Sequence, residues 1–179
     1  MENLAAARGT RSPIPGLERS SLTLDGVNVS RIRGAHYQLS NKSAGRSTTD
    51  ICLIIHLVPV NFRSLSHAGR IESFGKCDET RYDVLSRGED WVIQYGSPFD
   101  CIIFEVTADD LRWPSDGSRH YQPRQLPFNG EDPVFRSLAM SMVAKLNSFD
   151  PNSRLFNEQI ITALLSHLAI VLNDAHELS

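Results

Sequence analysis

From about residue 22 the chain alternates short runs of Val, Ile and Leu with turn residues, a pattern that continues to about Val106. In LTLDGVNVSRIRGAHYQL the apolar positions flank Asp25-Gly26, which suits a two-residue hairpin turn. DICLIIHLVPV (50–60) is long enough for a buried strand that ends at Pro59. SLSHAGRIES, YDVLSRG, DWVIQYG and PFDCIIFEV follow, each bounded by Gly, Pro, Asp or Ser. About seven or eight strands at this spacing predict a β-sandwich or barrel, not alternating βαβ units.

Beyond Val106 the period changes. Thr107 followed by Asp110 predicts a capped helical turn in TADDLR, which Pro114 ends. Residues 114–131 are polar and turn-rich and read as a loop. Asp132-Pro133 is an N-cap and first-turn pair, since Pro needs no N–H at that position. Val134, Phe135, Leu138, Ala139, Met142, Val143 and Leu146 then predict a helix over 133–147. The linker SFDPN, with Asn152 or Ser153 as cap, restarts a second helix over 154–173.

The second helix carries the widest apolar face in the chain. Ile160, Ile161, Leu164, Leu165, Leu168, Val171 and Leu172 cover roughly 140° of a wheel, where one neighbour requires about 100°. Ile161, Leu165, Leu168 and Leu172 follow the alternating steps of a coiled-coil seam. A second subunit packed on these four residues is the favoured explanation, because two-fold dimers are the commonest assembly. The alternative is that the first helix and the β-body fill the whole arc.

Composition narrows the functions. With 179 residues, 41% apolar and 22% charged, the chain has the make-up of a single soluble domain. A net charge of −3 supplies no general attraction to nucleic acid or anionic lipid. The arginines of the first half (Arg8, Arg11, Arg19, Arg31, Arg33, Arg46) are scattered and read as solvated surface. Cys52, Cys77 and Cys101 form no CxxC, which suits a reduced, cytoplasmic chain. The N-terminus lacks the apolar core of a signal peptide, and polar residues interrupt even the last helix, so no membrane span is expected.

The usual chemical motifs are missing. His36, His56, His67, His120, His167 and His176 stand singly, with no HxH to place two ligands on one strand face, so neither metal nor cofactor is expected. No GxSxG elbow, activated cysteine or Gly-rich phosphate loop occurs, and Asp109-Asp110 sits at a helix start where acids favour the dipole. On motif evidence the chain is not an enzyme. His56, Trp91 and Tyr95 are candidate ligand contacts inside a barrel, though interior packing explains them as well.

The run RYDVLSRGEDWVIQYGSPFDCIIFEVTADDLR, followed by DPVFRSLAMSMV and SRLFNEQIITALLSHLAIVL, resembles the regulatory half of AraC-type transcription factors. The resemblance implies a mainly β (α+β) fold, a cupin-like jelly-roll barrel followed by a C-terminal two-helix hairpin. It divides the chain into an arm (1–20), a barrel (21–112), a connecting loop (113–131) and a dimerising hairpin (132–175). It also implies a homodimer, a small-molecule effector, and DNA contact only through a helix-turn-helix domain that this sequence does not contain. NDAHELS reads as a fraying tail. A stand-alone cupin-like binder or enzyme, and a head-less partner of full regulators, are the alternatives.

Overall fold

The strand Ile51–His56 (β4) is buried at all six positions, and its two faces enter two different cores. Ile51, Leu53 and Ile55 point to one side; Cys52 and Ile54 point to the other. Successive side chains of a strand alternate faces, so a run this continuously apolar belongs to a sheet covered on both sides. The computed structural model describes residues 16–24, 26–41, 50–107, 110–111, 126–146 and 154–177, and in them the molecule has three layers.

The central layer is a six-stranded sheet in the order β1-β2-β9-β4-β7-β10. Its further members are Glu18–Leu24 (β1), Val27–Gly34 (β2), Arg81–Ser86 (β7), Phe99–Val106 (β9) and Gly130–Glu131 (β10). A four-stranded sheet covers one face in the order β3-β8-β5-β6. It is built from Tyr37–Asn41 (β3), Val60–His67 (β5), Arg70–Cys77 (β6) and Trp91–Tyr95 (β8). Every pairing is antiparallel. The helices Pro133–Leu146 (α1) and Arg154–Glu177 (α2) cover the other face. The mainly β body with a helical hairpin is therefore as expected.

Several details differ from expectation. β1 begins at Glu18, inside the expected arm, and pairs Glu18 with Arg33. The connection at 25–26 joins Leu24 to Val27 with Gly26 at φ 89°; Asp25 lies outside the described residues. β4 stops at His56, before Pro59, where the Leu57 amide turns to bond the Asp100 carbonyl at 2.9 Å. SLSHAGRIES is two strands joined by Ala68 and Gly69, both at positive φ, the geometry of a tight hairpin turn. Of TADDLR, Thr107 donates to Asp110 Oδ2 from its amide (3.0 Å) and its hydroxyl (2.6 Å), the expected capping contact. Arg112, residues 113–125 of the expected loop, and the 147–153 linker with its cap lie outside the described residues.

Asp132 caps α1 as expected, its Oδ1 accepting from the amides of Val134 (2.7 Å) and Phe135 (3.3 Å). The expected fraying tail instead continues α2 to Glu177. Contrary to expectation, Arg154–Asp174 is long and apolar enough, by length and composition, to cross a membrane. Its apolar face is spent on the sheet. Ile160, Ile161, Leu164, Leu168 and Leu172 are buried in the core shared with β4, β9 and α1, and Leu165 packs at the margin of that core. Most of the arc that suggested a second subunit is filled from within the chain, with Leu165 and Val171 left half-buried.

Candidate functional site

Between the two sheets, inward-facing residues meet in a closed core at one end and part around a cleft at the other. The cleft has a volume of about 350 Å³. Ile32, Cys52 and Ile103 from the six-stranded sheet form its apolar floor, opposed by Leu39 and the Trp91 ring. Trp91 is held in place by its indole N–H, which donates to the Ser86 carbonyl at 3.1 Å. Asn41 fixes the neighbouring turn, its side-chain amide donating to the carbonyls of Arg87 (2.8 Å) and Glu89 (2.9 Å).

Charge gathers at the mouth. Arg19 projects from β1, Arg87 follows β7, and Glu105 stands on β9. Arg87 and Glu105 are 3.5 Å apart, a loose pair. Arg19 reaches the Ser30 hydroxyl only at 3.4 Å. Sequence reasoning had assigned Arg19 to the solvated surface and had not singled out Arg87 or Glu105. No local pattern marks them, because they come from strands far apart in the chain.

At the other end, His56 and Tyr95 meet. His56 Nδ1 lies 3.3 Å from the Arg81 carbonyl, which can only accept, so Nδ1 carries the proton and Nε2 accepts from the Tyr95 hydroxyl at 3.2 Å. Burial lowers the His56 pKa from 6.5 to about 4, and burial raises that of Tyr95, so both are neutral. Burial likewise pushes the thiols of Cys77 up to about 11 and Cys101 up to about 12; Cys52 is raised further still. All three cysteines are free, and none is poised as a nucleophile.

Beside this pair, Arg63 of β5 and Asp83 of β7 form an ion pair across the two sheets, with side chains 2% and 0% exposed. Asp83 Oδ1 also accepts the Asn129 amide at 2.8 Å. Among the described residues, Arg63 Nε meets no hydrogen-bond partner. A charged residue at an inward position of NFRSL and of YDVLS was the available sequence signal, since Arg63 shares its face with Leu65 and Asp83 shares its face with Leu85.

A strap, residues 126–131, connects this interior to the helices. The Val84 amide donates to the Pro127 carbonyl (2.9 Å), and Arg81 Nη1 donates to the Asn129 carbonyl (2.9 Å). Gly130 lies so close to the Tyr82 ring that a Cβ would stand 2.5 Å from it, which explains a glycine there. At the end of the strap, Asp132 Oδ2 bonds His167 of α2 at 2.7 Å. Phe135 packs between the rings of Tyr82 and His167, each 4.8 Å away by centroids.

Of the predicted contacts, Trp91 borders the cleft, while His56 and Tyr95 bond each other in the closed core. Among the described residues no three His, Cys, Asp or Glu side chains are grouped to hold a metal. Asp83 already faces the Arg63 guanidinium, and this donor set does not fit a cation.

No protein-family model matches the chain. No curated protein matches it in sequence. Solved structures do match, and they include cupin domains, some from transcription regulators. The AraC-like transcriptional activator CuxR aligns with 84% of this chain and 55% of its own, at 8% identity and a TM-score of 0.49. The Cupin_2 domain of an XRE family transcriptional regulator from Enterobacter cloacae aligns with 51% of this chain and 96% of its own, at 7% identity and a TM-score of 0.40. These likenesses concern the fold. A third corrects an expectation: salicylate 1,2-dioxygenase from Pseudoaminobacter salicylatoxidans aligns with 53% of this chain and 26% of its own, at 12% identity and a TM-score of 0.38. The exclusion of enzymes drawn from missing motifs is overturned, because strands distant in sequence can assemble a site that no local motif announces.

Proposed function

We propose that this chain is the effector-sensing and dimerisation part of an AraC-like bacterial transcription regulator, acting in the cytoplasm and reaching DNA through a further domain. One arrangement supports the reading. The cleft and the helical hairpin lie on opposite faces of the same six-stranded sheet, and the strap, bonded to Asp83 at Asn129 and followed by Asp132, ties the interior to α1 and α2. An effector that adjusts the inter-sheet packing thereby alters where the helices sit, and the helices set the spacing of two DNA readers.

The dimer surface in this proposal is the outward face of the hairpin, with half-buried Leu165 at its edge. Ile161, Leu168 and Leu172 then serve as the packed backing of that surface. The outward face carries Val134, Ser137, Met140 and Ser141 on α1, and Thr162, Ala163, Ser166 and Ile170 on α2. The hydroxyls are turned back on their own helices: Ser137 to the Pro133 carbonyl (2.8 Å), Ser141 to Ser137 (3.0 Å), Thr162 to Glu158 (2.9 Å) and Ser166 to Thr162 (2.8 Å). These residues are uncharged, Val134, Met140 and Ile170 are exposed and apolar, and the hydroxyls are bonded internally, so the face suits contact with the same face of a second copy.

Sedimentation equilibrium tests this. The protein should sediment as a dimer, and Ala163→Arg should convert it to a monomer with an unchanged circular-dichroism spectrum. A wild-type protein that stays monomeric at high concentration would sink the dimerisation half of the proposal.

A further inference from the structure

The cleft between the sheets has a chemistry of its own, and it points to a class of ligand. We infer that it binds a small monocarboxylate with an apolar ring or branched chain, the carboxylate at Arg19 and Arg87 and the apolar body against Trp91 and Ile103. The inference rests on the sensing role proposed above and specifies what is sensed.

Three observations carry it. First, the volume of about 350 Å³ lies at the small end of the range for ligand pockets and fits a single-ring compound. Second, the lining offers both kinds of surface: Ile32, Cys52, Trp91 and Ile103 are buried apolar groups, Ser30 and Asn41 are buried polar ones, and Arg19, Gln38 and Ser40 are exposed, with Arg87 and Glu105 half-buried. A ligand entering apolar end first leaves its polar end among the arginines. Third, among the described residues the charges that line the opening are two arginines and one carboxylate, a surplus of one positive charge.

Among the described residues, neither guanidinium is tightly committed. Arg87 meets Glu105 at 3.5 Å, and Arg19 meets Ser30 at 3.4 Å, against the 2.9 Å Nε–Oδ1 bond that seats Arg31 on Asp100. A guanidinium presents paired donors that match the two oxygens of a carboxylate. Glu105 decides between anions. One negative charge balances the surplus, whereas a phosphate dianion brings a second charge towards Glu105.

Calorimetric titration of the whole chain with benzoate, benzamide, benzylamine and inorganic phosphate tests the assignment. Benzoate is expected to bind at least tenfold more tightly than its neutral isostere benzamide. Arg87→Gln and Arg19→Gln should each weaken benzoate fivefold or more and leave benzamide within twofold. Arg33→Gln serves as the control, because Arg33 pairs with Glu18 on the surface outside the cleft, and it should change neither ligand. Circular dichroism confirms that each variant is folded.

Equal binding of benzoate and benzamide, with Trp91→Leu abolishing both, would overturn the carboxylate assignment and leave the sensing role standing. Phosphate that displaces benzoate at equal concentration would also overturn it, since the mouth would then take any anion. Absence of binding by every probe at millimolar concentration would overturn both the ligand class and the cleft as a sensor.

Discussion

The six-stranded sheet faces two cores of opposite character. On its outer side, Leu53, Ile55, Val84, Ile102 and Phe104 meet Phe135, Met142, Leu164, Leu168 and Leu172 in an almost wholly apolar layer. On its inner side the same strands meet the smaller sheet around His56, Arg63, Asp83 and Tyr95, with the cleft beyond. Apolar burial is non-directional and tolerant, and holds the helices in place without specifying chemistry. The polar layer must satisfy each group individually, which makes it sensitive to protons, charge and ligands. The outer core supplies stability; the proposed sensing role falls to the inner one.

The contrast can be broken, beginning with the largest effect. Phe104→Ala, fully buried on the outer side, should cost about 4 kcal/mol in urea unfolding. That loss should be the same at pH 5 and pH 7.5; a pH-dependent loss would erase the distinction between the cores. On the inner side, Arg63→Met should cost about 3 to 4 kcal/mol, because it leaves the Asp83 carboxylate buried and unpaired. The double variant Arg63→Met/Asp83→Asn should recover at least half of that, since an amide oxygen still accepts the Asn129 amide. If the double variant is as unstable as the sum of its parts, the pair is not the unit described.

A smaller effect sharpens the contrast through pH. His56 is held neutral, its pKa lowered from 6.5 to about 4. The unfolded chain therefore binds a proton before the folded one does. Stability from this group is complete above pH 6.5 and drains away as pH falls towards 4, on the order of 3 kcal/mol in all. His56→Gln should flatten that slope in pH-dependent unfolding, and an unchanged slope would assign the acid sensitivity elsewhere.

The parts that were legible in the sequence are those where local pattern and final contact coincide. Asp132-Pro133 announced the start of α1 because a cap acts within one turn. The DICLIIHL run announced β4 because burial on both faces leaves it apolar from Ile51 to Ile55, with only His56 polar. The SLSHAGRIES hairpin was missed because Ala68, at φ 46°, is not a turn-favouring residue. A helical wheel draws the broad apolar arc on α2 but gives no sign of what lies opposite. His56 and Tyr95 were both chosen for their setting in apolar strands, and they do meet. The cleft had no such signal, since residues from 19 to 105 converge on it only through strand order.

Asp83 gives the molecule an all-or-none character. One oxygen of its carboxylate belongs to Arg63 of the smaller sheet, and the other belongs to the strap that begins the helical half. A folding chain with its sheets paired but the strap undocked would hold a buried charge with half its partners missing. The reverse intermediate is equally frustrated. Barrel and hairpin are thus expected to melt in a single transition, with no half-built species to expose the apolar face of α2 to aggregation.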